Sequence, residues 1–213
     1  MGIIYLYLPL LILIPLLMGL IRFNYLDKPH RIFFYYILVV FLIQCIHIYV
    51  SEIQIKNIFQ YLFNGLSFFL LFRMLSAWSN IQSRKPLMLI GVISPFLFVL
   101  EYWIRYEEEI KHPSYSQMLI SLLFSLFATS VLFQKITSFD SNPWKSSVFL
   151  ILVPMILFFL LFDALQLVYL SVYNPNTHLL MRQSFVVYRI LFPFSFIAYT
   201  FALLWSPRRE IFI

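Results

Sequence analysis

Charged side chains make up only 11% of this 213-residue chain, cysteine occurs once and glycine four times. The shortage of charge excludes a water-soluble globule. Such domains carry about 25% charged residues, and a chain that is 62% hydrophobic has too few to coat its surface. Disorder is excluded by the same numbers, because it needs low hydrophobicity and high charge. With Cys45 alone there is no disulfide framework and no Cys-based zinc or iron–sulfur site. The glycines, at positions 2, 19, 65 and 91, form no GxxxG pair, so close small-residue crossings are not expected to be the main packing device. HExxH, the GxSxG elbow and the glycine-rich phosphate or dinucleotide loops are also missing. Accordingly, no catalytic residue, metal or cofactor is expected, and the chain reads as non-enzymatic.

What is present is apolar sequence in long runs, with a mean hydropathy of +0.88. A membrane-crossing helix needs about 20 mostly apolar residues. Seven stretches qualify: Ile3 to Ile21, Ile32 to Val50, Ile58 to Leu75, Pro86 to Ile104, Met118 to Phe133, Val148 to Leu170 and Phe185 to Trp205. The runs are continuous rather than alternating, which favours helices over barrel strands. The expected fold is all-α, a polytopic membrane protein of seven transmembrane helices forming a single domain over residues 1–213. The first run lacks a basic leader and a small-residue cleavage site, so it reads as a retained helix. Pro9, Pro15, Pro95, Pro154 and Pro193 fall within spans, and the other six prolines mark loops or helix ends.

Lys and Arg in the short loops set orientation. Arg22, Lys28, Arg31, Arg73, Arg84, Lys85, Lys135, Lys145, Arg208 and Arg209 fall on one side; Lys56, Arg105, Lys111 and Arg182 fall on the other. The excess predicts a cytoplasmic C-terminus and an external N-terminus. The basic residues are spread over loops facing anionic headgroups, so the bilayer, not nucleic acid, is the expected partner. Trp78, Trp144 and Trp205 fall at cytoplasmic helix ends and Trp103 at an outer one, as in an aromatic belt.

Polar side chains inside the bilayer are costly, which makes them the first functional candidates. Asp163 in span six and Arg189 in span seven lie at similar depth, about 10 Å from the outer surface at 1.5 Å per residue, and are expected to pair. Gln44, His47, Gln60, Asn64, Glu101 and Gln166 fall in the same outer third, while the inner halves are almost purely apolar. Five spans therefore place hydrogen-bonding groups at one depth. Such a cluster is either a ligand-sensing cavity or a closed network that holds helix register. Ser121, Ser125, Thr129 and Ser130 form a hydroxyl stripe on span five, expected to serve packing.

Three segments carry a family resemblance: PLLMGLIRF (Pro15 to Phe23), NIFQYLFNGLSFFLLF (Asn57 to Phe72) and YRILFPFSFIAYTFALLWSPRR (Tyr188 to Arg209). Through them the chain resembles small uncharacterised seven-helix inner-membrane proteins of bacteria, akin to the seven-helix sensory modules associated with sensor histidine kinases. In that family an acidic residue is expected in the middle of span three, where this chain has Ser67, and a Thr where it has Asn64. The resemblance implies a receptor-like protein or accessory subunit, signalling through a membrane or cytoplasmic protein partner. The alternatives are a small-solute or proton transporter using Asp163 and Arg189, and a structural subunit of a larger membrane complex.

Overall fold

The computed structural model describes residues 2–50, 52–79, 81–104, 114–138, 146–171 and 177–205, with side chains described from position 10 onward except at 51, 53, 80–83, 105–113, 138–145, 168–190 and 206–213. Among the described residues seven α-helices follow one another: α1 (Gly2–Ile21), α2 (Lys28–Tyr49), α3 (Ile53–Trp78), α4 (Ile81–Ile104), α5 (Tyr115–Ser138), α6 (Ser147–Ser171) and α7 (Thr177–Trp205), with a 3-10 turn at Phe23–Tyr25. Five of them, α2 to α6, contain segments long and apolar enough to cross a membrane; the apolar parts Leu10–Ile21 of α1 and Leu191–Trp205 of α7 are shorter among the described residues. Most helices extend beyond the apolar runs that announced them, because a polar residue in the headgroup zone interrupts hydropathy but not the backbone ladder. Pro86 consequently lies inside α4, as its sixth residue, rather than at its start.

Consecutive helices are neighbours, and α7 returns to pack on α1, so the bundle closes in chain order with α3 also touching α5. Phenylalanine fills the centre: Phe33, Phe72, Phe98 and Phe124 are fully buried. The outside is equally apolar, with Phe96 at 70%, Ile104 at 70% and Trp103 at 79% exposure. A large apolar exterior is what lipid, not water, would cover. Trp103 and Trp205 fit an interfacial belt, but Trp78 does not. Trp78 is buried, with its ring edge-on to His30 at 5.6 Å.

Although no GxxxG pair exists, α3 and α4 approach closely through one glycine from each. A Cβ on Gly65 would lie 2.8 Å from the Pro95 backbone, and one on Gly91 would lie 2.9 Å from Phe72 Cβ. A single glycine per helix suffices because each sits opposite a bulky partner rather than opposite another small residue.

Helix termini at one end of the bundle are capped by side chains. Arg22 Nη1 donates to the carbonyls of Leu203, at 2.9 Å, and Leu204 at the end of α7. Asp27 caps α2, its Oδ1 accepting the His30 backbone N–H at 3.1 Å and meeting His30 Nδ1, with Pro29 in the first turn.

Candidate functional site

A cavity of about 370 Å³ opens among α2, α3, α5, α6 and α7. Its polar wall is read off α3. Asn57, Gln60, Asn64, Ser67 and Leu71 recur at three- and four-residue steps, so they share one helix face. From Asn57 to Leu71 that face runs about 21 Å. Gln44 and His47 of α2, Ser114 and Gln117 at the start of α5, and Gln166 of α6 surround the same end. Tyr36, Ser195 and Tyr199 stand deeper, among Phe68, Phe158, Phe159, Phe192 and Phe196. The rings continue one another: Phe68 to Phe159 at 5.3 Å, Phe192 to Phe196 at 4.7 Å and Phe196 to Tyr199 at 5.6 Å. Edge-to-face and tilted contacts at these separations give a rigid apolar wall.

Below the floor every one of the five walls is closed by fully or almost fully buried apolar side chains. They are Phe33 on α2, Met74 and Leu75 on α3, Ala128 on α5, Ile151 and Leu152 on α6, and Ala202 and Leu203 on α7. The cavity is thus polar at the end near the α2–α3 connection and blind toward the other.

Ser67 is the most telling lining residue. Serine in an apolar helix ordinarily returns its hydroxyl proton to a carbonyl one turn back. Ser94, Ser125 and Ser195 do so, at 2.9 to 3.0 Å. The Ser67 Oγ is buried and has no hydrogen-bond partner among the described residues. A buried hydroxyl left unpaired costs about 1–3 kcal/mol.

Of the residues singled out in the sequence, Gln44, His47, Gln60, Asn64 and Gln166 come together in this cavity; Asp163 and Glu101 do not. Gln166 lies three positions after Asp163, which leaves about 60° between them around the helix. That difference sends Gln166 into the cavity and Asp163 toward α5, where its Oδ1 accepts from Ser121 Oγ. The hydroxyl stripe of α5 therefore does more than fill space, since one member bridges two helices. Asp163 is buried, and its Oδ2 has no hydrogen-bond partner among the described residues. The expected Asp163–Arg189 pair falls on a side chain, that of Arg189, outside the described residues.

Glu101 is a cap. Ser114 precedes α5 and its Oγ accepts the Gln117 N–H at 3.1 Å. Glu101, reaching across from α4, accepts from the Tyr115 N–H (2.9 Å), the Ser116 N–H (2.9 Å) and Ser114 Oγ (2.8 Å). The first three donors of α5, which no intrahelical carbonyl can satisfy, are all taken up. Glu101 thereby fixes the helix start that carries Ser114 and Gln117 to the rim.

At the opposite end His30 Nε2 and Ser147 Oγ are 2.9 Å apart across 117 positions, completing an Asp27–His30–Ser147 chain. This is the connectivity of an activated nucleophile, but His30 and Ser147 are both buried and neither lines the cavity above. The chain ties the start of α2 to the start of α6. Burial works against ionisation of Asp27; the His30 side-chain hydrogen bond, its charge, its backbone N–H and the Arg31 charge outweigh that, holding the carboxyl below the usual range.

Sequence reasoning missed Tyr36, Asn57, Ser114, Gln117, Ser195 and Tyr199 as lining residues. For Asn57 the signal existed, in its three-residue spacing from Gln60; for the tyrosines none did, because in a chain with 14 of them no single one stands out. Among the described residues no group of His, Cys, Asp or Glu could hold a metal ion. No protein-family model, curated protein or solved structure matches this chain, so its function has to be read from the cavity and the residues that line it.

Proposed function

We propose that this is a receptor-like, multi-pass protein of the bacterial inner membrane that binds a small uncharged ligand in the α2–α3–α5–α6–α7 cavity and relays occupancy to a partner chain. The carrying observation is the pairing of a blind, aromatic-floored cavity with a rim of amides and a buried Ser67 hydroxyl that lacks a partner among the described residues. A volume of about 370 Å³ suits a small molecule, as ligand sites start near 300 Å³. Among the described residues that line it there is no Lys, Arg, Asp or Glu. An amide or hydroxyl attached to a ring would find both hydrogen bonds and stacking surface among these side chains.

On this reading α1 and α7 also cross, giving seven spans. The ten-to-four asymmetry of basic residues supports a cavity mouth outside and a cytoplasmic C-terminus. The resemblance to kinase-associated sensory modules agrees with such a role. A transporter would need the buried apolar layer beneath the cavity to part, so binding is the better reading of this geometry.

The test uses Asn64→Cys in a Cys45→Ser background. Labelling by a membrane-impermeant methanethiosulfonate added outside cells, slowed by indole or benzamide, is the expected result. The same two probes should raise the Tm of the purified protein, and Asn64→Leu with Ser67→Ala should remove that shift. A residue 64 thiol inert from both sides, in protein that is otherwise folded, would show that the cavity does not admit ligand.

A further inference from the structure

A second pocket, about 490 Å³, lies at the other end of the bundle between α2, α3 and α4. Four of its nine lining residues are cations: Lys28 in the first turn of α2, Arg73 near the end of α3, and Arg84 and Lys85 in the first turns of α4. Ile32, Ala77 and Met88 supply an apolar side and Ser76 a hydroxyl.

Not all basic residues at this end are alike. Arg22 is committed to the carbonyls of Leu203 and Leu204, and Arg31 to those of Leu26 and Asn24. Lys28, Arg73 and Lys85 make no hydrogen bond or ion pair among the described residues, and Arg84 donates only its Nε, at 3.3 Å, to the Ser79 carbonyl. The one ion pair among the described residues is Asp27–His30. Arg73 is the sharpest case. It lies five positions before the end of the membrane-length segment Gln54–Trp78, about 7.5 Å below the helix end. Its side chain is exposed, and a long basic side chain so near a helix end snorkels to the headgroup layer, where phosphate groups lie.

We infer that this pocket binds a phosphate group, with the Arg73 and Arg84 guanidinium groups as its principal ligands and Lys28 and Lys85 closing the charge. The shared chemistry is a phosphate ester or free phosphate anion. The guanidinium fork matches two phosphate oxygens at once, and the first turns of α2 and α4 add their N-terminal dipoles on the same side. The apolar side of the pocket, at the depth of the helix ends, suits the phosphodiester of an anionic lipid whose acyl chains continue along Ile32 and Met88.

The experiment compares the full-length protein in nanodiscs of phosphatidylcholine alone and of phosphatidylcholine with phosphatidylglycerol or cardiolipin, together with inorganic phosphate and pyrophosphate in detergent. Lipid retention is read by native mass spectrometry and stability by Tm. Anionic lipid retained over phosphatidylcholine, with Arg73→Gln weakening retention about fivefold, the worth of one cation near such a headgroup, supports a lipid phosphate. A Tm rise with phosphate or pyrophosphate alone, lost in Arg73→Gln and Arg84→Gln, supports a soluble phosphate. Lys56→Gln, at the other end of the bundle, should change neither. Wild-type protein that fails to distinguish any of these lipids and does not respond to either phosphate overturns the inference, and so does Arg73→Gln that binds like wild type. The wild-type comparison needs no variant to fold.

Discussion

Replacing Glu101 tests how the rim of the cavity is built. Its carboxylate takes three donors at the start of α5, from Tyr115, Ser116 and Ser114. Glu101 itself is 7% exposed, whereas Tyr115 is 57% exposed, so water can reach some of the freed donors after truncation. Each lost bond is therefore worth about 1 kcal/mol, the scale of a helix N-cap, rather than the full penalty of a sealed site. Glu101→Ala should destabilise the protein by about 3 kcal/mol. Glu101→Gln keeps one acceptor oxygen but turns an amide NH₂ toward a donor, and should cost about 1–2 kcal/mol. Unfolding in mixed dodecyl sulfate micelles gives the free energies, and amide exchange at Ser116 and Gln117 localises the loss. Asn64→Cys should also label faster in the Glu101→Ala background, because Ser114 and Gln117 leave the rim with the frayed helix end. An alanine variant within about 0.5 kcal/mol of wild type, or a glutamine variant as damaging as alanine, would refute the cap.

Four further outcomes are expected. Gly65→Ala should cost about 1–2 kcal/mol in the same assay, since its Cβ would stand 2.8 Å from the Pro95 backbone and α4 must move aside; a stabilised variant would show that the α3–α4 contact is loose. Ser121→Ala should cost about 1–3 kcal/mol by leaving the buried Asp163 carboxylate without its α5 donor, and Asp163→Leu should restore much of it; additive effects would separate the two residues. The same cycle with Asp163→Ala and Arg189→Ala tests the ion pair expected from the sequence, and additivity there removes it. Asp27 has a carboxyl held below its ordinary range, so its contribution is full above about pH 4 and is lost as pH falls through the lower folded value. Asp27→Asn keeps a capping side chain, and its unfolding midpoint should fall less than that of wild type between about pH 4 and pH 2.

Much of the fold was legible. Continuous apolar runs identify membrane-length helices, because a bilayer admits few other structures, and the runs at Ile32, Ile58, Pro86, Met118 and Val148 correspond to the five helices long and apolar enough to span. Five of the polar residues singled out share the cavity, since hydrogen-bonding groups in an apolar helix have few places to go. Glu101 was placed at the right end but not in the right role. An acceptor that serves the helix following its own leaves no periodic mark in either.

Sequence by itself determined that this chain is a bundle of apolar helices, and along α3 it determined which side chains share a face, because helical periodicity sets each residue's azimuth on its own axis. It could not say how each helix is rotated against its neighbours. That rotation, settled only by packing around Gly65, Gly91 and the central phenylalanines, turns Gln166 into the cavity and Asp163 onto Ser121, and it joins His30 to Ser147 across 117 positions. Hydrogen bonds form over a few ångströms, so partners distant along the chain become visible only once the helices are in place.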